Sequence, residues 1–242
     1  MSEDEIVQDG PTERETDLDN YQEPLFKFPR IKLAMLCCTF SLIAWLVPNS
    51  EQYLTFSYNS FFVQRYYWTI ITSQFVHANI LHLFGNLIFL YVFGSTVIKY
   101  ASDRFMFLSF LIGGAAGMFV SGYFYGPNVT ILGASPGIMA LAAMAVLSFS
   151  TGWPRALLIS AGIAAFLYFM YSIAVSYSAS NSGIAYVGHI IGFVAGIAEG
   201  VIWVPEWQKN LKVTVIMLIA FLVILFVLKL LDTTYVGGTS LI

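Results

Sequence analysis

Seven apolar stretches, each near the ~20 residues that a bilayer core requires of a helix, succeed one another along this chain. They run at roughly 31 to 47, 75 to 98, 104 to 124, 135 to 150, 156 to 177, 184 to 204 and 212 to 231, the fourth being the shortest. Turn formers separate them: Pro48 and Asn49, then Gly126-Pro127-Asn128, Gly152-Trp153-Pro154 and Pro205. Hydrocarbon offers no water to backbone N–H and C=O groups, so apolar spans of this length satisfy them internally as helices. The expected fold is therefore an all-α polytopic membrane bundle. With 58% hydrophobic and 10% charged residues, the chain has too little polar surface to cover a soluble globule of 242 residues.

The net charge of −3 is unevenly spread, since nine of the fourteen acidic residues lie between Glu3 and Glu23. Residues 1–30 are expected to form an acidic disordered tail. This stretch is neither Arg-rich and acid-poor like a mitochondrial presequence nor built like a cleavable signal peptide, so the first span is expected to direct its own insertion. Cations set the orientation. With a cytoplasmic N-terminus, Arg14, Lys27, Arg30, Lys32, Lys99, Arg104, Arg155, Lys209 and Lys212 all fall inside, and only Arg65 and Lys229 outside. That reading makes residues 48 to 74 an external loop, with Tyr66, Tyr67 and Trp68 at the lipid interface, and points to the cell membrane. The two cysteines, Cys37 and Cys38, are adjacent on a span and diverge around the helix, so no disulfide is expected.

All three histidines, His77, His82 and His189, fall within spans or at their mouths, where a polar side chain is costly unless it meets a partner or a wet cavity. By topology the second, fourth and sixth spans all descend from outside. His82 and Asn86 then lie one turn apart on one face of the second. Ser135 opens the fourth, and His189 sits a turn or two into the sixth. Counting back from Thr151 at ~1.5 Å per residue puts Ser135 roughly 24 Å up, short of the ~30 Å hydrocarbon thickness. A non-helical Leu132-Gly133-Ala134 at that depth is tolerable where it lines a water-filled cavity.

The chemistry that suits these groups is acyl transfer. An imidazole within hydrogen-bond reach takes the serine proton and returns it to the leaving amine. The one acid in a span, Glu199, lies near the opposite end of the sixth, so a Ser135–His189 dyad is expected rather than a triad. The Asn86 amide, His82 and backbone N–H groups at the start of the fourth span are candidates to stabilise the oxyanion. Gly133 permits the sharp entry into that span. Gly188, Gly192, Gly196 and Gly200 recur every fourth residue on the sixth, which lets two membrane helices approach closely and would bring His189 to Ser135.

Together these residues resemble the rhomboid family of intramembrane serine proteases. His82-Leu83-Phe84-Gly85-Asn86 matches its H-x-x-x-N, Gly133-Ala134-Ser135 its G-x-S, and Gly188-His189 opens a glycine-rich sixth helix. The resemblance spans about residues 31 to 204. It implies a six-helix core over 31–204, with residues 205–242 adding a seventh transmembrane helix and a short tail. It further implies Ser135 as nucleophile, His189 as base, and His82 and Asn86 as oxyanion stabilisers, with His77 placed like the extra upstream histidine of many members. No cofactor or metal is expected. The implied partners are the bilayer and membrane proteins whose transmembrane segment is helix-destabilised, cut at a small residue, and no nucleic acid.

Three positions depart from the family pattern: Pro136 replaces the usual glycine after the serine, Trp68-Thr69 stands for a Trp-Arg pair, and Met139 replaces an aromatic ring near the base. Taken singly, a serine or histidine in a span is more simply a helix–helix hydrogen-bonding group, and His77 reads as structural or interfacial. The external sequon Asn128-Val129-Thr130 is expected to remain unglycosylated, because a glycan there would obstruct the site. Two rival functions are a catalytically silent rhomboid-like protein that binds membrane clients, which Pro136 makes conceivable, and a transporter with a histidine proton relay. The second calls for paired mid-membrane charges and an inverted repeat, neither of which the sequence contains.

Overall fold

Two residues, Ala101 and Ser102, turn the chain between the two longest helices among the described residues, and a turn that short forces the pair antiparallel. The computed structural model describes residues 29–148 and 186–213, with isolated positions beyond as far as 223. Its long helices are α1 (Pro29–Leu46), α2 (Ile80–Tyr100), α3 (Asp103–Tyr125), α4 (Ser135–Ser148) and α5 (Tyr186–Trp203). The last corresponds to the sixth apolar span. The fifth span and nearly all of the seventh lie outside the described residues. α1, α2 and α3 are each long and apolar enough to cross a membrane, and their outward faces carry large exposed apolar side chains such as Leu42, Phe84 and Phe124.

Local chemistry sets the ends. The Asn79 side chain accepts from the His82 N–H and starts α2, and Ser102 accepts from the Phe105 N–H to start α3, with Asp103 favourably placed in its first turn. Gly126, at φ +103, stops α3 ahead of Pro127. One boundary differs from the sequence expectation. The second span was expected from residue 75, yet α2 begins at Ile80, because Ser73–Phe75 closes a 3-10 turn and Val76 to Asn79 run on without helical bonds. His77 therefore lies ahead of the helix. Similarly, helix resumes at residue 207, two residues after Pro205, rather than at 212.

α4 is the axis of the bundle: every residue from Ser135 to Ser148 is buried, and it packs against α2, α3 and α5. Its 14 described residues rise ~21 Å. Small residues make its contacts tight. A Cβ added at Gly192 would overlap the Pro136 carbonyl, and one at Gly196 the Ala140 carbonyl, so α5 lies backbone to backbone on α4. Beside it, a Cβ at Gly117 of α3 would stand 2.5 Å from the Pro136 ring and 2.7 Å from the Gly188 carbonyl of α5. The departure at Pro136 is thus accommodated: its ring occupies a slot left by glycines of α3 and α5, at a helix-start position where a missing N–H forfeits no helical bond.

The segment between α1 and α2 folds back on α3. Its short helices, Glu51–Leu54, Tyr58–Phe62 and Thr69–Thr72, are tied by a Ser57–Ser60 capping box, by Trp68 Nε1 donating to the Tyr53 carbonyl at 2.8 Å, and by Thr72 donating to the Leu54 carbonyl at 2.8 Å. Trp68 and its neighbour Tyr67 are exposed, as an interfacial aromatic pair would be. Phe56 is buried against Met118 and Ile131. It also exchanges backbone hydrogen bonds with Ile131, which anchors the loop leading into α4.

Candidate active site

Ser135 is the first residue of α4, delivered by the non-helical Leu132-Gly133-Ala134. Glycine is required at 133 twice over. Its φ of +114 is strained for any side chain, and a Cβ there would stand 2.9 Å from the His82 ring. The Gly133 N–H donates to the Ser73 carbonyl at 2.9 Å, and the Ala134 carbonyl accepts the first α4 bond, from Ile138, at 3.0 Å. In the first turn of α4 the N–H groups of Ser135 and Gly137 have no helical acceptor behind them, which is the general condition of a helix start.

His189 sits on the first turn of α5, and its Nε2 is 2.8 Å from Ser135 Oγ, with both side chains buried. Two helices far apart in sequence thus present a serine and an imidazole in hydrogen-bond contact. Glu199 is ten residues further along α5, roughly 15 Å by helical rise, too far to orient that imidazole.

His82 and Asn86 lie on α2, one turn apart. The point at which a Gly133 Cβ would stand is 3.1 Å from His82 Nε2 and 3.9 Å from Ser135 Oγ, so the second imidazole and the hydroxyl flank the same small volume. Asn86 is buried, and its Nδ2 donates to the His82 carbonyl at 2.8 Å. Its Oδ1 has no partner among the described residues. Since an amide nitrogen carries two N–H groups, one is not used by that bond. The structure brings together Ser135, His189 and His82 from α4, α5 and α2, with Asn86 one turn from His82 on α2.

His77 is buried beside them, its ring 5.0 Å from that of His82 in an edge-on arrangement. Ser41 and Trp45 of α1 reach it: Ser41 Oγ is 3.1 Å from His77 Nδ1, and Trp45 Nε1 donates to the His77 carbonyl at 2.8 Å. Sequence reasoning missed Ser41 and Ser73. A serine in an apolar run looks the same whether it bonds its own helix or holds another segment, although Ser41 and Trp45 stand four residues apart on one face of α1.

What fold and site define is an integral membrane helix bundle with a Ser–His pair buried at the start of its central helix. A family model of the rhomboid domain matches residues 64–206, more than half of the chain, and the chain belongs to the rhomboid family. It is similar to Rhomboid-like protein 11, chloroplastic, of Arabidopsis thaliana, at 32% identity over 134 residues, which is 55% of this chain and 48% of that protein. The chain therefore spans about half the length of the curated relative it matches.

Proposed function

We propose that this protein is an intramembrane serine endopeptidase that cleaves transmembrane segments of other membrane proteins with a Ser135–His189 dyad. The observation that carries the proposal is the 2.8 Å contact between His189 Nε2 and Ser135 Oγ at the start of a buried helix. In the proposed reaction Nε2 accepts the hydroxyl proton as Oγ attacks the scissile carbonyl. The oxyanion is received by the Ser135 N–H, His82 and the free N–H of Asn86. Collapse of the tetrahedral intermediate transfers the proton from His189 to the leaving amine, and water then attacks the acyl-enzyme with the same base. An amide within an intact helix is shielded by its own hydrogen bonds, so the proposed substrates carry helix-breaking residues near the cut. The cation distribution supports a cytoplasmic N-terminus with the site opening to the other side; residence in the cell membrane is part of the proposal.

The test is labelling of the purified, detergent-solubilised protein by a fluorophosphonate probe. The wild type is expected to label and Ser135→Ala to remain unlabelled; a folded wild type that does not label would favour the silent, client-binding reading that Pro136 suggests. A second prediction concerns the oxyanion donors. His82→Ala and Asn86→Ala are each expected to lower turnover of a transmembrane substrate by roughly 10²–10³ while substrate binding changes little. Equal losses in kcat and kcat/KM would bear this out, and a rise in KM at constant kcat would reassign both residues to binding.

A further inference from the structure

The hydrogen bonds at the two ring nitrogens of His77 agree on one protonation state. The Ala134 N–H donates to Nε2 at 3.4 Å, so Nε2 is an acceptor and the ring proton sits on Nδ1. On the other side, the one hydroxyl proton of Ser41 is given to the Phe75 carbonyl at 3.2 Å, so Ser41 Oγ accepts at 3.1 Å from Nδ1–H. A polar chain thus runs from the Phe75 carbonyl through Ser41 and His77 to the backbone of Ala134, the residue that precedes the nucleophile. The same ring packs edge-on against His82. His77 is itself held from α1 by Trp45, whose Nε1 donates to its carbonyl.

We propose that His77, kept in its neutral Nδ1–H form by Ser41, is a positioning residue that fixes the Gly133–Ala134 turn and the His82 ring on either side of Ser135. The proposal rests on the serine-protease reading of that site. Its physical basis is that the turn into α4 runs through irregular backbone, where only a few bonds hold it. The Gly133 N–H is tied to Ser73, and the Ala134 N–H is tied to His77. Releasing the second lets Ser135 Oγ drift relative to His189 Nε2, and displacements near 1 Å are worth up to roughly 10²-fold in rate. The ring nitrogens of His77 bond Ala134 and Ser41 rather than the serine hydroxyl, so its effect is expected on the bond-forming step rather than on ligand affinity.

The experiment compares wild type, Ser41→Ala, His77→Ala and His77→Gln, each full-length in detergent, for fluorophosphonate labelling resolved into its maximal rate and its half-saturating concentration, alongside thermal unfolding. The expected result for His77→Ala is a maximal rate lower by about 10–100-fold with half-saturation nearly unchanged. His77→Gln, whose Oε1 can accept from the Ala134 N–H, is expected to recover most of that loss. An unchanged rate in His77→Ala overturns the proposal, as does a rate that merely follows Tm and is not restored by glutamine. If the wild type does not label at all, the protease reading fails separately, and the ¹⁵N spectrum of histidine-labelled protein tests the geometry alone. An Nδ1–H tautomer of His77 in the wild type supports it, and an Nε2–H tautomer rules it out.

Discussion

On the proposed dyad, His189→Ala is expected to abolish turnover and to reduce labelling of Ser135 to background, a loss on the order of 10⁴–10⁶ in rate. Among the described residues no other base is hydrogen-bonded to Ser135. His82 is the next imidazole, but it flanks the Gly133 turn from α2 without a hydrogen bond to Oγ, and Glu199 lies about 15 Å away along α5 by helical rise. The effect on stability is expected to be far smaller, about 1–3 kcal/mol, because the substitution leaves the buried Ser135 hydroxyl without its hydrogen bond. Labelling and thermal unfolding measured on the same preparation separate the two effects. Residual labelling at a tenth of the wild-type rate would mean that another group deprotonates Ser135.

The second large effect is expected at Gly192, where structure and site share one contact. A Cβ there would overlap the Pro136 carbonyl, and neither backbone has a flexible end that can yield. Overpacking of this kind costs about 1–3 kcal/mol in a well-packed interior, and Gly192→Val is expected at the upper end or beyond it. Because His189 is one turn before Gly192 and Ser135 is the neighbour of Pro136, pushing α5 off α4 also opens the Ser–His contact. Labelling should therefore fall at least 10²-fold even in the fraction that remains folded. Gly196→Val supplies the contrast. It meets the Ala140 carbonyl one turn deeper, so it is expected to lower Tm comparably while sparing labelling in the folded fraction. Equal effects of the two variants on labelling would show that the glycine stripe acts on stability alone.

Much of the architecture was legible because a bilayer admits few solutions. The apolar runs give α1, α3, α4 and α5 with ends within about two residues wherever the structure describes them, and turn formers mark the breaks. The second span was misread at its start for a physical reason. Phe75 and Val76 are buried and apolar whether they belong to a helix or to an irregular segment pressed against α1, and hydropathy does not tell the two apart. The sign that α2 begins later was nevertheless present in Asn79, an N-cap residue just before an apolar run. Ser135, His189 and His82 were legible as candidates from the sequence, since polar groups on three separate spans are costly in lipid unless they find partners.

By itself the sequence determined that this is a helical membrane protein, which residues break its spans, and which polar side chains share one depth. All of these follow from hydrophobic length, turn chemistry and the cost of polar groups in hydrocarbon. Only the tertiary structure decided that His189 meets Ser135 at 2.8 Å, that the Asn86 amide is partly engaged by its own helix, and that His77 ties α1 to the turn before the nucleophile. Each of these depends on how closely two backbones approach and how a ring is rotated, and such distances are set by packing between segments remote in the chain, which periodicity and composition do not encode.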